Sequence, residues 1–255
     1  MSRILWAKAL VPPADEPVKE LDYSQYFGAA AKVPGTRAIP TATEDFALPD
    51  PRAVRSMSRA AVMLANVCMA AQETLAPFLA KSPFSVGVYC AVENGPLDYP
   101  STMQMLELTR EQFAERYKRL RNPKMYLKQL PNLAGAQMGI FLNLMGKMDV
   151  YNHSTGAALQ ALDQAEVDLE QGRVDAALVC TGVSFEDPLL TLRAKKFASG
   201  GRILCEGAAG IILVKDEGSN GKQTLWDPSK HSGSESYYGI GHEIITLARE
   251  NSKEN

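Results

Sequence analysis

No window of this 255-residue chain approaches the ~20 consecutive apolar residues that a bilayer-spanning helix needs. The opening residues, MSRILWAKALVPPADEP, hold one short apolar run followed by prolines and acids. They lack the long apolar region and small-residue cleavage site of a secretory signal, so a cytoplasmic location is expected. Cysteine is scarce. Cys68, Cys90, Cys180 and Cys205 are scattered, each inside an apolar segment, with neither metal-ligand spacing nor the density of a disulfide scaffold. They read as four buried thiols, and no metal or cofactor is expected. The formal net charge is only -2, so nothing global draws the chain to nucleic acid or to a membrane, and an electrostatic partner must find a local patch. Histidine occurs three times, at His153, His231 and His242.

Hydrophobic residues make up 45% of the chain and charged residues 22%, enough for a substantial core. RILWAKAL reads as a strand, followed by a long Pro- and Gly-containing loop to about residue 50. Met57, Ala60, Ala61, Leu64, Cys68, Ala71 and Leu75 then fall on one helical face. FSVGVYCAV is a short apolar run with β-branched and aromatic residues, a buried strand. Leu106 to Lys128 is amphipathic and basic. In LPNLAGAQMGIFLNLMGK, Pro131 can open a helix and Gly146 close it. Its apolar side chains occupy nearly every face, which predicts a buried helix.

MDVYNH is a short strand. After it, Ala158, Ala161, Leu162, Ala165 and Leu169 recur at helical spacing, with Gly172 placed as the stop. Asp163, Glu166, Asp168 and Glu170 lie on the other side and predict a solvated face. VDAALVCTGVSF and AAGIILVKDE are apolar strands. Strands alternating with helices predict an α/β layered domain with a mostly parallel sheet. After Glu217 turn residues dominate, and IGHEIITLARENSKEN ends the chain as a short helix and frayed tail.

The order of parts between Leu130 and Phe185 is distinctive: a buried helix, an elbow YNHSTGAALQAL, a helix ending EQGRVDAALV, and a strand closing CTGVSF. Downstream stands CEGAAGIILVKDE, and upstream SMSRAAVMLANVCMAAQETL and SVGVYCAVENG. Together these resemble the β-ketoacyl-acyl carrier protein synthases of the thiolase-like superfamily. In that family the elbow reads T-A-C-[AS]-[ST]-G and its cysteine accepts the acyl chain. On this chain His153 takes the cysteine's place, between Asn152 and Ser154. Glu206, Gly207, Ala208 and Gly210 match the family's G-[DE]-G-A-G motif. The resemblance implies a thiolase-like layered fold over residues 1–216, roughly the N-terminal half of a ketosynthase, with 217–255 a short tail in place of the other half.

Two departures from the family bear on function. The thiolate nucleophile, normally favoured by the helix N-terminus, is absent, so no catalytic residue is expected. The family's two downstream histidine motifs, N-A-H-G-T and N-x-F-G-x-x-G, are absent too, and His231 and His242 match neither context. The resemblance therefore implies a chain-length-factor-type subunit. It would pair as a heterodimer with an active ketosynthase, of the polyketide, aryl polyene or a related system, and shape the acyl tunnel. Phe141, Met145, Val150, Tyr151, Asn152 and His153 are the expected interface and tunnel residues, with the strand Met148 to Asn152 at a pseudo-twofold axis. Plain core packing is the simpler reading of Phe141 and Met145.

Arg116, Lys118, Arg119, Arg121 and Lys124 crowd the segment ERYKRLRNPK. A basic patch there could steer an acidic acyl carrier protein, although a helix carrying charge for solubility has the same pattern. Two other classes of function stay open. One is an acyl-thioester enzyme using His153 as base or nucleophile, with Ser154, Thr155 or Glu206 beside it. The other is a homodimeric acyl-binding scaffold.

Overall fold

The computed structural model describes residues 2–40, 48–153, 156–197, 201–216, 225–231 and 234–252. The chain opens with β1 (Ser2–Leu10), β2 (Lys19–Asp22), the short α1 (Ser24–Phe27) and β3 (Lys32–Arg37). Next come α2 (Arg59–Met69), α3 (Gln72–Lys81) and β4 (Val86–Val92), then α4 (Tyr99–Met103), α5 (Arg110–Leu120), α6 (Pro123–Gln129) and α7 (Pro131–Leu142). β5 (Met148–Tyr151), α8 (Ala157–Glu170), β6 (Ala176–Val183), α9 (Pro188–Phe197), β7 (Ile203–Cys205) and β8 (Gly207–Lys215) follow. The last elements are α10 (Pro228–His231), β9 (Ser236–Tyr237) and α11 (His242–Asn251).

Five strands form the central sheet in the order β1-β8-β6-β4-β5. β4 runs parallel to both β5 and β6, whereas β8 is antiparallel to β6 and β1. A smaller sheet has the order β2-β3-β7-β9. Four of the seven pairings among the described residues are parallel. Every residue of β4 and β6 is buried because both faces of the sheet are covered. Alternate residues sort to the two faces. Val88, Cys90, Leu178, Cys180 and Ile212 pack with Leu64 and Cys68 of α2 and Met138 of α7. Tyr89, Ala91, Val179, Ile211 and Leu213 pack with Ala158, Ala161 and Leu162 of α8 and Ile244 and Ile245 of α11. The result is the α/β layered fold expected, and all four cysteines are free and buried in it.

Several local expectations change. The loop after β1 contains β2 and β3, and β3 includes Pro34 and Gly35, residues that read as loop signals. The helix through Leu75 breaks after Met69, and α2 and α3 meet at 74°. Ala70 and Ala71 donate to the carbonyls of Val67 and Cys68, an i→i−3 tightening that ends α2. No single described helix is long and apolar enough to cross a membrane. α7 ends at Leu142 rather than Gly146, because Asn143 takes the left-handed conformation at φ 56°. Gly146 has another duty: a Cβ there would lie 2.1 Å from the Val86 carbonyl oxygen. Nor is α7 buried all round, since Ile140 is 71% exposed. Beyond Asp216 the chain returns to the sheet, where α11 covers β1 and β8.

The face of α8 expected to be solvated is not uniformly so. Asp168 is fully buried. Its carboxylate accepts hydrogen bonds from Tyr89 Oη (2.8 Å), Lys147 Nζ (2.7 Å), Gln164 Nε2 (3.1 Å) and Arg173 Nη1 (2.9 Å). Burial pushes its pKa up, but the donors, Lys147 foremost, outweigh that and hold it at about 2. This knot fastens α8 to β4 and to the entry of β5, and so fixes the helix whose other end carries the elbow.

Candidate functional site

β4 and β5 run parallel, so both deliver their C-terminal ends to one edge of the sheet, where open α/β sheets hold ligands. β5 ends at Tyr151, and the chain turns through Asn152 and His153 before α8 begins beyond Gly156, which holds φ 75°. Ser154 and Thr155 lie outside the described residues. Asn152 Nδ2 donates to Asn94 Oδ1 at 3.2 Å, tying the elbow to the exit of β4. His153 Nε2 is hydrogen-bonded to Gln160 Oε1 at 2.9 Å, so the first turn of α8 holds the imidazole. Asn152 and His153 are both exposed.

Below Asn94 is a narrow cavity lined by Glu93, Gly182, Val183, Leu190 and Ile240, with about 30 Å³ of free volume. That is room for a water or two. Glu93 is mostly buried and paired with Arg193 of α9. Burial raises the Glu93 pKa above its ordinary value, while Arg193 pulls it down. Neither partner of this pair stood out in the sequence, where each is a single charge in a mixed segment.

Glu206 is spoken for elsewhere. It is 2% exposed and accepts from Arg59 Nε (3.1 Å) and Nη2 (2.8 Å), from Phe185 N (2.9 Å) and from Ile39 N (3.0 Å). Arg59 also donates to the Ile39 carbonyl at 2.8 Å. A carboxylate saturated by four donors ties together the starts of α2 and β8 and two loops, and has no acceptor left for a substrate proton. His242 is buried on α11 among the rings of Trp226, Tyr237 and Tyr238, with centroids 5.2 to 6.2 Å away. The side chain of His231 lies outside the described residues. Among those described, no three His, Cys, Asp or Glu are grouped as metal ligands.

The remaining site residues divide between core and surface. Phe141 is 9% exposed and packs into the core against α2 and β4. Val150 and Tyr151 are half-buried, one on each face of the sheet. Met145 is 56% exposed, in an open groove shared with Ile140 and with Met148, itself 42% exposed. This groove flanks β5, the outermost strand, whose far edge has no partner strand among the described residues. Arg116, Lys118, Arg119, Arg121 and Lys124 are all exposed on α5, α6 and their junction. Arg119 bonds Glu115 at 3.1 Å and Arg116 bonds Gln104 at 3.2 Å. A groove with about 590 Å³ of free volume, including Tyr117, Met125 and Tyr126, lies beside them.

Comparison with known proteins fits this geometry. Residues 14–196 match the model of the β-ketoacyl synthase N-terminal domain. No curated protein matches the sequence significantly. Among solved structures, a β-ketoacyl synthase from Burkholderia phymatum superposes with a TM-score of 0.63 at 15% identity, over 97% of this chain and 70% of that one. A ketosynthase in complex with its chain length factor from Xenorhabdus doucetiae gives 0.55 at 14% identity, over 84% of this chain and 58% of that one. A type II polyketide synthase acyl carrier protein in complex with its ketosynthase bound to the hexaketide gives 0.56 at 16% identity, over 72% and 54%. At these identities the superpositions establish the fold alone. The family match covers most of the chain, which thus belongs to the β-ketoacyl synthases through their N-terminal domain.

Proposed function

We propose that the chain is a non-catalytic, chain-length-factor-type subunit that pairs with an active ketosynthase and shapes the space available to a growing acyl chain. The observation that carries this reading is the edge of β5 that has no partner strand among the described residues, with Ile140, Met145 and Met148 exposed along its flank. An unpaired strand edge next to exposed apolar side chains is a surface that invites a partner strand. It leads straight to an elbow where His153, held by Gln160, stands in the family's nucleophile position. The solved complex of a ketosynthase with its chain length factor offers a precedent for such a pair. Val150, Tyr151 and Asn152 would then meet the partner, and the basic surface of α5 and α6 would receive an acidic acyl carrier protein. A polyene or aryl polyene pathway is the proposed setting.

The test is the solution mass of the chain alone and co-expressed with the ketosynthase encoded nearest to it. A one-to-one heterodimer supports the reading. A stable homodimer that ignores the ketosynthase overturns it and directs attention to His153 and acyl-thioester hydrolysis.

A further inference from the structure

The two outer strands of the central sheet differ in how readily a further strand can join them. β1 carries a bulge between Ile4 and Trp6 and exposes Arg3 and Lys8, two devices that blunt an edge. β5 pairs with β4 without a shift of register from Met148 to Tyr151, and its one charged residue, Asp149, is met by Lys147 Nζ at 3.0 Å. Beside that edge lies the groove bounded by Ile140, Met145 and Met148, with about 460 Å³ of free volume. Ala136, Gly139 and Gly146 also line it, and they leave it deep because none has more than a methyl side chain. Among the described residues along it none is charged, and Asn143 alone brings a polar side chain. Its walls are fixed. Leu144 N donates to the Gly139 carbonyl and Met145 N to the Pro83 carbonyl, both at 2.8 Å. Phe84, next to Pro83, is exposed and carries apolar surface on past the turn.

We propose that this groove is a socket for a bulky aromatic side chain, presented by the partner from the strand that pairs with β5. Three features select that occupant. The floor of small residues leaves depth that only a large side chain fills with contacts. The uncharged lining offers nothing to an ionised side chain, and burying one there is costly. The thioethers of Met145 and Met148 are flexible and make favourable contacts with ring edges. Aromatic anchors seated in pockets carry much of the affinity of protein interfaces. Strand addition draws its affinity from main-chain hydrogen bonds and its specificity from side-chain pockets. The socket therefore supplies what backbone pairing along β5 lacks, a means of choosing one partner over another. This deepens the proposed function and rests on β5 being the pairing edge.

The test has two arms: the full chain alone, methyl-labelled at methionine and titrated with indole, and the chain co-expressed with the ketosynthase. In the lone wild type, indole is expected to move the methyl resonances of Met145 and Met148. Ala136→Leu, which fills the floor from α7, is expected to weaken that binding at least about ten-fold, and association with the ketosynthase by a similar factor. The thermal transition of the lone variant is expected to stay where it is, because Ala136 is only half-buried. If Ala136→Leu does not fold, Ile140→Ser, at an exposed position, is read in the same way. Indole that leaves both methyls unmoved, or moves them equally in the variant, overturns the proposal. So does a shift of those methyls with the concentration of the chain alone, which assigns the groove to a second copy. A wild-type heterodimer that tolerates Ala136→Leu overturns the socket and leaves the pairing standing. Absence of any wild-type heterodimer overturns the pairing, and with it the occupant proposed for the groove, whatever indole does.

Discussion

Tyr89 and Asp168, 79 residues apart, meet in the core with the phenol donating to the carboxylate at 2.8 Å. The phenol gains from the arrangement as the acid does: burial, and then the carboxylate itself, push its pKa far above the ordinary tyrosine value. Since Lys147 and Arg173 converge on the same carboxylate, the knot holds two cations around one buried anion. Stability follows from this with a defined sign. The Asp168 carboxyl falls from 3.8 when unfolded to about 2 when folded. Its stabilisation is complete above pH ~4 and drains away as pH falls toward 2. The amount at stake is roughly 2 kcal/mol. Asp168→Ala, which leaves Tyr89 and Lys147 facing a gap, should cost about 3–5 kcal/mol. Thermal unfolding from pH 7 to pH 2.5 checks both statements, and a flat difference between wild type and Asp168→Asn across that range would refute the first.

Ile140→Glu together with Met148→Lys should leave the thermal transition of the lone chain nearly unchanged, because both side chains are exposed. The same pair of changes should abolish association with the ketosynthase by placing charges in an apolar interface. Analytical ultracentrifugation of the co-expressed proteins reads this directly. A heterodimer that survives both substitutions would move the interface away from β5.

Residues 110–128 carry seven Lys or Arg and two Asp or Glu in a chain whose net charge is -2. Reversing Arg119, Arg121 and Lys124 to Glu should weaken binding of an acyl carrier protein by about ten-fold or more at low salt. The difference should shrink as ionic strength rises toward 0.5 M, since exposed charges are screened. An effect independent of salt would mean that the lost contacts were packing rather than charge.

His153→Cys should not restore condensation, because the family's downstream histidine motifs are missing from the chain. Acyl loading followed by condensation in that variant, without a partner, would refute this. His153→Ala should leave product formation by a heterodimer partial or altered in chain length. Near-complete loss of turnover would instead mark His153 as a reacting group.

The layered architecture was legible because β4, β6 and β8 are unbroken apolar runs, and because the α8 apolar residues keep a strict helical spacing. The elbow was legible as a turn between two such elements. What periodicity could not reveal was pairing between distant polar residues. Asp168 lies on the polar side of α8 and looks like its neighbour Asp163 until Tyr89, Lys147 and Arg173 are brought to it. Glu93 likewise reads as an ordinary charge after a strand, and only the fold places it against Arg193. β3 was hidden by its own Pro34 and Gly35, local turn signals overridden by short pairings to β2 and β7. The end of α7 was misplaced because Asn143 supplied the left-handed residue for which glycine is the usual candidate.

The pairing of β1 with β8 joins Ser2 to Lys215, and α11 closes over both strands. On the ribosome, the first strand therefore emerges more than two hundred residues before β8, its sheet neighbour among the described residues. Until then β1 is a loose edge with nothing to pair with, and closing so long a loop makes late assembly slow. Pairing of β1 thus waits for β8 to be made, and removal of α11 would uncover Ile211 and Leu213 as surely as a cut through the core.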